Sequence, residues 1–159
     1  MKLGIAIEQV ASSECELAER LLEVGERHRT DHDVFHMSKT LAKKERAHLD
    51  GLARHAGRYG ASIDRDGSSH GALGAAREKA AQLLGRRPEP GLLLLRDLRE
   101  LHLLAAGASL DWVALAQGAQ AAKDTDLLAT VTDCHDETLR TLKWTTYRLK
   151  EAAPQALTS

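Results

Sequence analysis

The spacing of apolar residues constrains this chain more than any other feature. In the first run, about 5–29, apolar or small residues recur at Ile7, Val10, Ala11, Leu17, Ala18, Leu21, Val24 and Gly25. Intervals of three and four place them on one stripe of an α-helix. Thr30-Asp31-His32-Asp33 then supplies N-cap residues and a tight turn. A second run, about 34–59, turns Val34, Met37, Leu41, Leu49, Leu52 and Ala56 inward and ends at Gly57 and Gly60. The third, about 92–122, opens with Leu92-Leu93-Leu94-Leu95 and continues through Leu98, Leu101, Leu104, Ala105, Ala108, Trp112, Leu115, Ala116 and Ala119. After a turn at Lys123-Asp124-Thr125-Asp126, the fourth, about 127–151, places Leu128, Val131, Leu139, Leu142 and Leu149 inward. Pro154 is expected to stop it and to leave 154–159 as a frayed tail.

Each run is about 25 to 30 residues, or roughly 38–45 Å of helix at 1.5 Å per residue. Aromatic content is only 3%, and the abundant Ala, Leu, Glu, Lys and Arg are good helix formers, so propensity agrees with pattern. The breaks between runs are unequal. The first and third are short and make antiparallel hairpins. The second, 60–91, is rich in Gly, Ser, Asp and Arg, has room for a short helix from about Leu73 to Leu84, and closes on Arg86-Arg87-Pro88-Glu89-Pro90-Gly91. A connection of that length can cross the length of a bundle, so the second and third helices run the same way. The expected fold is all-α: a single four-helix bundle domain over 1–153, built from two hairpins and one long crossover.

Composition narrows function by exclusion. The formal net charge is −1 and the pI about 6.7, so no basic field exists to gather nucleic acid or an anionic membrane. With so few aromatics, stacking platforms for single strands are missing too. No run approaches the roughly 18 apolar residues of a membrane span. The opening Met1–Glu8 turns acidic before a signal-peptide core develops. Cys15 and Cys134 stand far apart and in no CxxC spacing, which fits a reducing compartment and a cytoplasmic protein. GxSxG, a phosphate-cradling glycine loop and a dinucleotide fingerprint are all absent.

The sharpest chemical feature is Glu45-Arg46-Ala47-His48. Positions i and i+3 share a helix face, so this carboxylate and imidazole can meet at one point. Leu41, Leu49 and Leu52 flank that face, which aims the pair at the core, where both groups need a partner. Glu14 interrupts the first stripe where an apolar residue is expected. Folding the first hairpin about its turn brings Glu14, Glu16 and Glu19 to the level of the pair, with Glu14 the most inward. Three polar groups at one core level need compensation: a metal ion, or hydrogen-bonded and oppositely charged partners.

This layout, with Glu-x-x-His on the second helix, resembles the ferritin-like superfamily. In its di-iron members helices one and three each supply a Glu, and helices two and four each supply Glu-x-x-His. The resemblance implies Glu14 as the helix-one ligand and Glu45 with His48 as the helix-two ligands, for iron, manganese or zinc. It also implies metal-centred redox chemistry with dioxygen or peroxide. The second half of the chain departs from the pattern. Thr132-Asp133-Cys134-His135-Asp136-Glu137-Thr138-Leu139-Arg140 contains no Glu-x-x-His, and Asp133 with Asp136 has the spacing but lacks the imidazole. His135 lies near the apolar face, and folding the second hairpin sets Asp111 opposite it, so Asp111 and His135 join the candidates for a reduced or mononuclear site. The alternative is a non-catalytic bundle of the same shape that works through self-association, as a homo-oligomer, or through a protein partner. The all-round apolar start of the third helix and the missing second Glu-x-x-His favour it.

Other motifs carry less. His28, His32 and His36 are four apart, but the interhelix turn is expected between the first and last, which breaks their alignment. Cys134 and His135 are adjacent and therefore point about 100° apart on a helix. Lys143-Trp144-Thr145-Thr146-Tyr147-Arg148 reads as aromatic packing at a bundle rim or a small interaction patch.

Overall fold

Helices form where the apolar stripes run. The computed structural model describes residues 2–66 and 89–159, with α1 at Leu3–Arg27, α2 at His32–Ala56, α3 at Pro90–Ala121 and α4 at Thr125–Thr158. A single 3-10 turn, Gly57–Tyr59, follows α2. The short helix expected at Leu73–Leu84 lies outside the described residues.

Local chemistry sets the boundaries. Asp31 caps α2 by accepting from the Val34 amide at 3.1 Å, and Asp124 caps α4 by accepting from the Leu127 amide at 3.0 Å. These side chains satisfy amides that have no partner within the helix. Pro90 opens α3, where its missing N–H costs nothing. Gly60 ends the α2 segment at φ +63°, a left-handed conformation that glycine adopts without strain. One expected boundary is corrected. Pro154 does not stop α4, which continues to Thr158. Packing maintains this last turn: a Cβ added at Gly91 would lie 3.0 Å from the Ala156 Cβ, so the end of α4 sits directly on the start of α3.

The bundle is square in section. α1 packs on α2 and α3, and α4 packs on α3 and α2. Asp97 meets Arg27 and His28, whereas Trp112 meets Glu14, so α3 runs antiparallel to α1 and therefore parallel to α2. That is the direction the long crossover demands.

The core is divided. One apolar cluster holds Ile7, Val10, Leu52, Leu115 and Leu127. The other holds Leu17, Leu21, Val34, Leu98 and Leu101. On α1 the change falls between Cys15 and Leu17, and on α2 between Ala42 and Leu49. A layer of buried polar side chains fills that gap. The α4 stripe is also rotated from expectation. Thr138, Thr141 and Thr145 are buried, while Leu139 is 36% exposed. Likewise α2 buries Ser38 and leaves Met37 at the surface. Among the described residues no helix is long and apolar enough to cross a membrane.

Candidate metal centre

The polar layer is built by all four helices. Glu14 comes from α1, Glu45 and His48 from α2, Trp112 from α3, and Thr138 and Thr141 from α4. Glu14 and Glu45 are completely buried and His48 nearly so. Isolated carboxylates at such depth would be strongly disfavoured. Here they are matched by specific donors.

The outer oxygens are held in place. Glu14 Oε1 accepts from Trp112 Nε1 at 2.6 Å and from Thr138 Oγ1 at 2.9 Å. Glu45 Oε1 accepts from Thr141 Oγ1 at 2.7 Å. The inner oxygens converge on the imidazole. His48 Nδ1 lies 2.8 Å from Glu14 Oε2 and 3.1 Å from Glu45 Oε2. The Trp112 ring stands edge-on to the His48 ring, with centroids 5.9 Å apart. Each carboxylate therefore has one oxygen fixed by the surroundings and one turned toward His48, and Glu45 Oε2 also accepts a longer bond from Thr138 Oγ1 at 3.4 Å.

The charges of the group are interdependent. Burial pushes the Glu14 carboxyl up, the neighbouring Glu45 adds to this, and it reaches about 8 despite the opposing His48. Burial would also raise Glu45, but its hydrogen bonds with Glu14 and His48 hold it below the usual carboxylate range. Burial works to lower His48, yet its bonds to Glu14 and Glu45 carry it up to about 9. At neutral pH the group thus holds two protons, one on His48 and one on the Glu14–Glu45 carboxyl pair, and is neutral as a whole. Nearby, burial and then the Glu14 charge push the Cys134 thiol up to about 12.

This buried Glu14–Glu45–His48 group could hold a metal ion: one ligand atom from each residue lies within 4.8 Å of the others. The donor set fits. Two ligands at right angles, each about 2.1 Å from an ion, stand about 3.0 Å apart. The 2.8 and 3.1 Å separations at His48 Nδ1 are close to that. Two oxygens and one nitrogen suit zinc, manganese or iron, and the Trp112, Thr138 and Thr141 bonds are of the kind that orient ligating carboxylates.

Three of the five expected ligands are brought together, and two are not. Asp111 accepts from Ser13 Oγ at 2.6 Å and from Gln9 Nε2 at 3.4 Å, at the α1–α3 seam. His135 Nε2 is bonded to Ser109 Oγ at 2.8 Å. Their level along the bundle was right, but their direction was not. The next residue on α3, Trp112, faces the group, as does Thr138 one turn after Cys134. The histidine series also divides. His28 Nε2 bonds the buried Asp97 at 2.8 Å, beside Arg27 at 2.8 Å, while His32 and His36 stack on one another at the exposed start of α2. α2 begins at His32, so the turn separates only His28 from the others.

No protein-family model matches the chain, and comparisons with curated proteins and with solved structures also find no match.

Proposed function

We propose that this chain is a ferritin-like bundle that binds one metal ion in its core through Glu14, Glu45 and His48. The observation that carries the reading is the convergence of Glu14 Oε2, Glu45 Oε2 and His48 Nδ1, with the opposite carboxylate oxygens already engaged. Without an ion these three atoms hold protons between them, and a divalent ion would take the place of those protons.

The stoichiometry follows from the same layer. In the di-iron pattern helices three and four supply a second Glu and a second Glu-x-x-His. Here α3 offers the Trp112 indole, and α4 offers Thr138 and Thr141 at the same i, i+3 spacing. These groups act as donors to the first carboxylates instead of forming a second ligand set, which supports a mononuclear site. Iron or manganese would supply one-electron redox chemistry there, and zinc a Lewis acid. The chain's own part is to fix both carboxylates, to take up and release protons at Glu14 and His48, and to enclose the ion between two apolar clusters.

Elemental analysis of protein purified without added metal tests this. The expected result is about one iron, manganese or zinc per chain. That ion should be lost in both Glu45→Ala and His48→Ala while the helical circular dichroism is kept. A folded protein that neither retains an ion nor takes one up on dialysis against these metals would refute the proposal.

A further inference from the structure

We infer that the outer face of α3 is the docking surface for a second copy of this chain. Leu103, Gly107, Leu110, Ala114, Gln117 and Ala121 are all exposed and alternate at intervals of four and three. This is the spacing of a helix–helix seam, repeated over nearly three heptads on a face that no other helix among the described residues covers. Leu103 is 53% exposed, Leu110 70% and the adjoining Val113 43%. Elsewhere an α-helix on the surface of a bundle turns charged residues outward. Between Leu101 and Ala122 the ionisable side chains are only His102 and Asp111, and both are already bonded within the chain, to Thr145 and Ser13.

The face fits itself. Beside Leu110, the α1–α3 seam opens into a groove of about 450 Å³ lined by Lys2, Leu3, Ala6, Ala114, Gly118 and Ala122, among others. Gly118 sets its depth, since a Cβ there would lie 2.6 Å from Leu3 Cδ2. A two-fold axis through Ala114 pairs residue 110 of one copy with residue 118 of the other. Each protruding Leu110 then enters the partner's groove over Gly118, as an isologous interface requires. The same axis sets Gly107 against Ala121, so the two backbones can approach closely. Like charges do not oppose one another, because the strip carries none. From Leu103 to Ala121 it is about 27 Å long at 1.5 Å per residue. With the flanking α1 edge, where Ile5 is 66% exposed, its projected area is on the order of 500 Å².

Light scattering on the full-length chain tests the inference, with Leu110→Asp as the variant. The expected wild-type mass is twice 17.3 kDa at concentrations of about 50 μM. Leu110→Asp should return the mass to that of one chain, with unchanged helical content. A second variant, Ala114→Cys, places a thiol on the two-fold axis and should form a covalent dimer under mild oxidation. A wild-type chain that is monomeric at this concentration overturns the inference. So does a dimer that survives Leu110→Asp, or one that Ala114→Cys fails to cross-link. Neither variant touches the Glu14–Glu45–His48 group, so metal content and association are read separately.

Discussion

Shifting the pH should move metal affinity and metal-free stability in opposite directions. With Glu14 at about 8 and His48 at about 9, both groups are protonated at neutral pH and must lose their protons to bind an ion. Below about pH 8 each ion therefore displaces two protons, and affinity rises by up to about 100-fold per pH unit. Between about 8 and 9 only His48 remains to be deprotonated, and the slope falls to about tenfold. For the metal-free protein the sign is reversed. The stabilisation from His48 is complete below its unfolded value of 6.5 and is lost as pH rises through about 9. Glu14 holds a proton in the fold that the unfolded chain releases near 4.5, so its contribution also declines as pH rises toward 8. From about pH 6.5 to 8 the metal-free protein should lose between about 1 and 3 kcal/mol of stability per pH unit. Zinc or manganese competition against a chromogenic chelator, from about pH 6 to 7.5, reads the first slope, and urea denaturation of chelator-treated protein reads the second. An affinity that stays flat over that window, or a metal-free protein that gains stability with rising pH, would refute the protonation scheme.

Four further outcomes follow from the same geometry. Trp112→Phe and Thr141→Val each remove a donor that fixes one carboxylate, and each should weaken metal binding by about 10- to 100-fold in the competition assay. Asp97→Ala removes the completely buried carboxylate shared by Arg27 and His28 and should cost about 3 kcal/mol in urea denaturation. Gly4→Ala would place a Cβ 2.3 Å from the Tyr59 carbonyl oxygen, so it should lower stability by about 1–3 kcal/mol, seen as a reduced melting temperature. Cys134, with its thiol held near 12, should resist alkylation by iodoacetamide at about pH 8 in native protein and react once unfolded.

The legible parts of this molecule are those written as contrasts. Four apolar stripes broken by two short turns and one long connection specify the helices and the parallel course of α2 and α3. Glu14 and the Glu45–His48 pair stood out because each placed a charged or titratable side chain on an otherwise apolar face. Trp112 did not, because an indole on an apolar stripe reads as core and its N–H donor carries no sequence signal. Thr138 and Thr141 were hidden for the opposite reason. Threonine is ordinary on a helix surface, and the leucines beside it suggested a stripe rotated by one position. The i, i+3 threonine pair, continued at Thr145, was the available signal. Asp111 and His135 match the site in charge and level along the hairpin, but direction around the axis changes by about 100° per residue. Pro154 failed as a stop signal because packing of Ala156 on Gly91 outweighs the one backbone hydrogen bond that proline removes.

One ion is proposed to sit at the point between Glu14 Oε2, Glu45 Oε2 and His48 Nδ1. Anomalous diffraction from crystals grown with zinc or manganese, recorded on either side of the metal edge, locates that ion without reference to activity. A single strong peak bounded by Glu14 Oε2, Glu45 Oε2 and His48 Nδ1, about 2.1 Å from each, is the predicted result. An empty centre, or a peak only at the exposed His32–His36 pair, would contradict it.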